Sequence, residues 1–136
     1  DENALKIAQI NNENLKSKVQ FKQLDILTET LSDKYDVIVS NPPYIRNTEK
    51  QLMKANVLEF EPHLALFVSD ENPLIFYERI AILAQKSLVE NGLLFFEINQ
   101  YLGKETVNLV EKFGFIKVEI IKDFRNNDRI LKAVKG

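Results

Sequence analysis

Asn41-Pro42-Pro43-Tyr44 is the part of this sequence whose residue types and order can do chemistry. Two prolines in succession remove two backbone N–H donors and fix two φ angles. The residue before them is pushed toward extended conformations. The result is a stiff corner whose carbonyl oxygens have no local donors competing for them. The Asn41 side-chain oxygen and the Pro42 carbonyl can therefore converge as two acceptors on one –NH2 group, and Tyr44 supplies an aromatic face for the flat group that carries it. Such a pocket selects a planar amine, either a carboxamide or the exocyclic amine of a base. With no charged base in the motif, catalysis is by orientation, which contributes up to ~7–11 kcal/mol in favourable cases. A carboxylate in place of the amide meets acceptors it cannot satisfy, a mismatch that costs ~10⁴-fold or more in specificity. The plain structural alternative is a rigid turn after a strand.

The position of the motif decides between these readings. "YDVIVS" at 35–40 is a continuous, largely β-branched run, which predicts a strand buried on both faces as in a parallel sheet. Upstream, "DENALKIAQINNENL" predicts a helix capped by Asp1 or Asn3, and the alternation of Val19 and Phe21 against Gln20 and Lys22 predicts a strand over 19–25. Residues 41–72 read as mostly irregular, with a short helix near 48–58. A helix is predicted over 73–92, with Pro73 in its first turn and Gly92 as its stop. A buried strand at 93–98, a helix at 103–114 closed by Gly114, and strands at 115–123 and 129–135 complete the pattern. Phe95, Phe96, Phe113 and Phe115 are expected in the core. The "DFRNND" link is too short for a parallel crossover, so the last two strands are expected to pair antiparallel.

Alternating helices and strands give an α/β fold with a mainly parallel sheet. Ligands of such sheets bind beyond the carboxyl ends of the strands, where Asp25, Asn41 and Glu97 are all expected. That placement favours the functional reading of the Asn-Pro-Pro-Tyr corner.

Composition narrows the rest. With 136 residues, 45% hydrophobic and 28% charged, the chain is long enough for one domain with a real core and too short for two. No apolar run approaches a membrane span. The absence of cysteine removes thiolate metal sites and disulfides and fits a reducing cytosol. A net charge of −2 argues against a broad nucleic-acid face, so no direct nucleic-acid contact and no membrane contact are expected. His63 has no companions at metal-ligand spacing, and no metal site is expected.

Taken together, four segments resemble the release factor glutamine N5-methyltransferases among the class I S-adenosylmethionine-dependent methyltransferases. "SNPPYI" at 40–45 is similar to that family's substrate motif, and "EFEPHLAL" at 59–66 to its EP-x-x-AL segment. "NGLLFFEINQ" at 91–100 and "DFRNNDR" at 123–129 are similar to its later elements. The resemblance implies a Rossmann-like sheet, mostly parallel with an antiparallel C-terminal pair. It implies that Asn41 and Pro42 bind and orient a glutamine carboxamide, with Pro43, Tyr44 and Glu61 in the substrate site. Asp25 and Asn41 are implied beside the cofactor S-adenosylmethionine, and a peptide chain release factor carrying Gly-Gly-Gln is implied as the protein substrate. A ribosomal-protein glutamine, a nucleic-acid amine, or a non-catalytic binding role remain alternatives.

The chain departs from the family in three places. Asn99 stands where the family usually has Gly, the expected Gln is displaced to Gln100, and Asn126-Asn127 replaces a usual Gly. The Gly-rich cofactor loop, the first strand and the N-terminal helical domain are not in these residues. Residues 1–136 are therefore expected to be part of a methyltransferase catalytic domain; the chain alone is expected to bind cofactor poorly, and either to rearrange, to self-associate, or to be part of a longer protein.

Overall fold

In the computed structural model, which describes residues 1–53, 59 and 61–136, Asp1 caps the first helix as its residue type predicts. Its carboxylate accepts from the Ala4 N–H at 2.9 Å, and α1 runs Glu2–Asn14. No residue of α1 is buried. The strand expected over 19–25 is not formed. That stretch pairs with no other among the described residues, and Val19 and Phe21 are exposed. Alternation prepares a segment for a sheet but supplies no neighbouring strand to complete its ladder.

The main sheet consists of β1 (Tyr35–Ser40), β4 (Leu88–Glu97), β5 (Phe115–Lys122) and β6 (Asp128–Lys135), in the spatial order β1-β4-β6-β5. β1 pairs with β4 in parallel, and β6 lies antiparallel to both β4 and β5. The α/β class and the antiparallel C-terminal pair stand as expected. β6 also inserts between its two predecessors, so β4 has one parallel and one antiparallel neighbour. β1 is not buried on both faces: it is an edge strand, with Val39 74% exposed. Its β-branched run suits a central strand, but its outer edge has no partner among the described residues.

α3 (Ile75–Ser87) begins just after Pro73 and ends before the expected stop at Gly92. The chain turns directly into β4, where Asn91, at φ 62°, and Gly92 form an irregularity. Tyr35 pairs with Leu88 and Val37 with Leu93, so the extra residues bulge out of the ladder. Beyond the bulge the alternation is regular: Leu94, Phe96 and Ile98 are all 0% exposed. They meet Tyr77, Ile80, Ala81 and Ala84 of α3, Val110 of α4 (Gly103–Lys112), and Leu131 and Ala133 of β6 in one core. Phe96 and Phe115 are buried, whereas Phe95 and Phe113 are only half-buried. Gly114, at φ 85°, ends α4 in the left-handed region that glycine adopts without strain.

Between β1 and α3 lie a two-stranded parallel sheet, β2 (Ile45–Arg46) with β3 (Phe67–Val68), a 3-10 helix at Asn47–Leu52, and the short α2 (His63–Leu66). The helix expected near 48–58 is that 3-10 turn as far as Leu52, and residues 54–58 lie outside the described ones. Among the described residues no helix is long and apolar enough to cross a membrane.

Candidate functional site

Ser40 pairs with Phe96, so Asn41 leaves the sheet level with Glu97, at the carboxyl end of both parallel strands. Pro42 is buried and Pro43 half-buried, which anchors the corner, while Asn41 is exposed. Among the described residues, no hydrogen bond reaches the Asn41 side chain or the Pro42 carbonyl. Neither of the two acceptors expected from the sequence is therefore occupied by a hydrogen bond from another described residue. Asn41, Pro42, Tyr44 and Ile45 line a cavity of about 70 Å³ together with Ala65 and Leu66. The β2–β3 pairing brings those last two residues there, because Ile45 sits opposite Phe67.

Tyr44 does more than present a ring. Its hydroxyl donates to Glu97 Oε1 at 2.7 Å and receives Arg129 Nη1 at 3.4 Å. Arg129 lies 3.8 Å from Glu97 Oε1 and reaches Asp123 Oδ2 at 3.3 Å. Burial first, then the Glu97 carboxylate beside it, pushes the Tyr44 phenol up to about 12, with Arg129 opposing. The Glu97 backbone carbonyl is also engaged, by the Tyr77 hydroxyl at 3.0 Å. Asp123 accepts from the N–H groups of Asn127 and Arg125, which with Arg129 hold its carboxyl below the usual carboxylate value. Asp128 begins β6 and pairs with Lys122 at 2.8 Å.

Behind Tyr44 lies a second cavity of about 210 Å³, walled by Glu49, Asn99, Tyr101 and Arg129 among others. Glu49 receives Arg46 through both its backbone N–H at 2.9 Å and its Nε at 3.0 Å. Burial pushes the Glu49 carboxyl up, but Arg46 and Asn99 outweigh it, and the carboxyl stays below its ordinary value.

Asp25 is exposed and closes a turn. Its carboxylate accepts from the Leu27 N–H at 3.0 Å, and its own N–H donates to Glu29 Oε1 at 2.7 Å. Arg79 of α3 pins this turn through the carbonyls of Ile26, at 3.1 Å, and Glu29, at 2.7 Å. Ile26 then lines an apolar cavity of about 330 Å³ with Pro42 and Pro43, so the Asp25 turn adjoins the proline corner even though no strand carries it there. Glu61 is exposed and lines none of the three cavities touching that corner; Ala65 and Leu66 form the wall instead. His63 stacks edge-on against Phe67 at 5.3 Å. No metal-binding cluster of His, Cys, Asp or Glu occurs among the described residues.

For an adenosine-bearing cofactor, the residues fit one end only. The exposed Asp25 carboxylate beside an apolar wall suits a base amine. No glycine precedes Gly92, so these residues have no Gly-rich turn to approach the remainder of such a molecule closely. Sequence reasoning did not find the anchoring roles of Glu49 and Arg46, and noted Asn99 only as a departure. The i,i+3 spacing of Arg46 and Glu49 was the available signal for their pairing, whereas the tie of Glu49 to Asn99 spans 50 residues and is made only by the fold.

Comparison with known proteins agrees with the motifs. The model of the methyltransferase small domain family matches residues 1–65. The release factor glutamine methyltransferase of Flavobacterium psychrophilum is 54% identical over 116 residues, covering 85% of this chain and 41% of that protein. Its counterpart in Bacteroides thetaiotaomicron is 48% identical over 134 residues, covering 97% of this chain and 48% of its own length. The chain thus spans less than half the length of these relatives. A methyltransferase structure from Pyrococcus furiosus superposes on 100% of this chain and 59% of its own at a TM-score of 0.70, with 20% identity, and so shares the fold. The resemblance carried by the four sequence segments therefore stands: over most of its length this chain is similar to the release factor glutamine methyltransferases.

Proposed function

We propose that this chain forms the amide-binding part of a cytosolic S-adenosylmethionine-dependent methyltransferase. Its substrate is the side-chain nitrogen of a glutamine in a protein, the Gly-Gly-Gln of a peptide chain release factor. The observation that carries this reading is that Asn41 and Pro42, whose acceptors meet no hydrogen-bond donor among the described residues, line a small cavity at the carboxyl end of a parallel strand pair. When bound, S-adenosylmethionine supplies an electrophilic methyl group on sulfur, and the Asp25 turn would hold its adenine. The two acceptors take the two amide N–H bonds, which fixes the plane of the carboxamide and enriches the nitrogen in electron density. As the new N–C bond forms, the nitrogen releases one proton to solvent and the sulfur keeps the bonding pair. No side chain of the pocket needs to act as a general base. The open acceptors reject a glutamate, which has no N–H to offer.

Incubating the full-length protein with isotopically labelled S-adenosylmethionine and a release factor carrying Gly-Gly-Gln should label the glutamine. The same factor with that Gln changed to Asn should stay unlabelled. Absence of label in the Gln form overturns the proposal. Asn41→Ala should lower kcat/KM by at least tenfold, since one amide hydrogen bond of ~1–3 kcal/mol is removed and orientation is weakened.

A further inference from the structure

We infer that Asn99 is a positioning residue for the proline corner, an inference that rests on the amide-methylating function proposed above. Asn99 is 4% exposed, just past the end of β4. All of its hydrogen-bonding capacity facing the site is used. Nδ2 donates to the Tyr44 carbonyl at 3.0 Å and to Glu49 Oε2 at 2.9 Å, and Oδ1 accepts from the Tyr101 N–H at 2.9 Å. This settles which way the amide points, because flipping it would set Oδ1 against two acceptors. One side chain thus joins the exit of the Asn-Pro-Pro-Tyr corner, the 3-10 turn that follows it, and the loop leading into α4.

Proline fixes φ but not ψ, so the aim of the Pro42 carbonyl depends on where the chain goes next. Two ties decide this. The Tyr44 hydroxyl is fastened to Glu97, and the Tyr44 carbonyl is fastened to Asn99. Without Asn99, the half of the tie on the backbone is lost, and Glu49 keeps only Arg46. A glycine at this position would have no side chain to make any of the three bonds. The corner is therefore held by a contact that depends on the side chain at position 99.

The test uses the full-length protein and the variants Asn99→Ala, Asn99→Gly and Asn99→Asp. Removing the amide should lower kcat for the glutamine substrate by about tenfold to 10²-fold, the range expected from displacing a reacting group by a fraction of an ångström to one ångström. KM for S-adenosylmethionine should hold, because the side-chain hydrogen bonds of Asn99 go to Tyr44, Glu49 and Tyr101 and none to the Asp25 turn among the described residues. Asn99→Asp should be the weakest variant at neutral pH, with a carboxylate facing Glu49. Its activity relative to wild type should recover as pH falls and one carboxyl gains a proton to donate. The Arg46 amide, bonded to Glu49, should exchange its hydrogen at least tenfold faster in Asn99→Gly. Wild-type kcat in Asn99→Ala or Asn99→Gly would overturn the inference, as would a loss traced wholly to unfolded protein. If the wild type itself fails to methylate glutamine, the functional proposal falls, and Arg46 exchange alone then decides the role of Asn99: unchanged exchange overturns it.

Discussion

Residues 1–40 and residues 75–135 have similar apolar patterning and very different outcomes. In the later region Leu94, Phe96, Ile98, Leu131 and Ala133 are fully buried beneath two helices. In the earlier one α1 buries nothing, Ile7, Ile10 and Leu15 are more than half exposed, and an alternating segment forms no strand. The sequence of each region specifies faces; in the earlier one Ile26, Tyr35 and Ile38 meet the core, and the stripe of α1 meets nothing that buries it. Apolar surface stabilises when it leaves water, at about 25 cal/mol per Å², and a stripe that stays wet contributes little. Local periodicity therefore measures readiness for a partner, and the partner determines the energy.

The sharpest way to probe this contrast is to cut into both regions. Phe96→Ala should destabilise the protein by about 3–5 kcal/mol, read from denaturant midpoints at constant slope, because a buried ring packed against Tyr77 leaves a cavity. A smaller loss would mean that the core collapses around the gap. Tyr44→Phe comes next, at about 1–3 kcal/mol, since it breaks the tie to Glu97 that fastens the corner to the packed half.

The same tyrosine links stability to pH. Its folded pKa, about 12, lies above the ordinary value near 10, so the folded state holds the proton more tightly. The stabilisation is complete below about pH 10 and is lost as pH rises from there through about 12. Unfolding curves across that window should flatten in Tyr44→Phe. The remaining slope then includes Tyr77, whose phenol burial likewise pushes up, and Lys22, which its hydrogen bond to Asp33 raises.

On the exposed side the expected effects shrink. Ile10→Ala should change stability by no more than about 0.5 kcal/mol. A larger loss would show that α1 is packed in solution and would erase the contrast. Smallest of all is Lys22→Ala, which removes a solvent-exposed ion pair to Asp33 and should leave the midpoint unmoved in moderate salt.

What could be read from the sequence follows the same division. The helix at 75–87, the closing Gly114 and the antiparallel final pair were legible because local signals and burial agree there. The proline corner was legible because its stiffness is a property of the residues themselves. β1 was read as central because its composition suits that position, although its edge placement depends on which strands are present. The stop assigned to Gly92 misread a β-bulge, since a glycine after an amphipathic run serves either purpose. Glu61 was placed in the substrate site by its neighbours in sequence, whereas the cavity wall came from the residues that β2–β3 pairing selects. Asn99 was visible only as an exception, because its three partners are assembled by the fold.

The two-residue ladder between β2 and β3 has a consequence for how this protein can vary. It clamps residues 45–46 to 67–68, so the segment between them is a closed excursion whose two ends cannot drift apart. Inside the excursion Glu49, Ala65 and Leu66 line the cavities at the corner, so variation that spares the pocket must spare these three. The ladder thus ties the cavity wall at 65–66 to the proline corner at 41–44 across the intervening sequence.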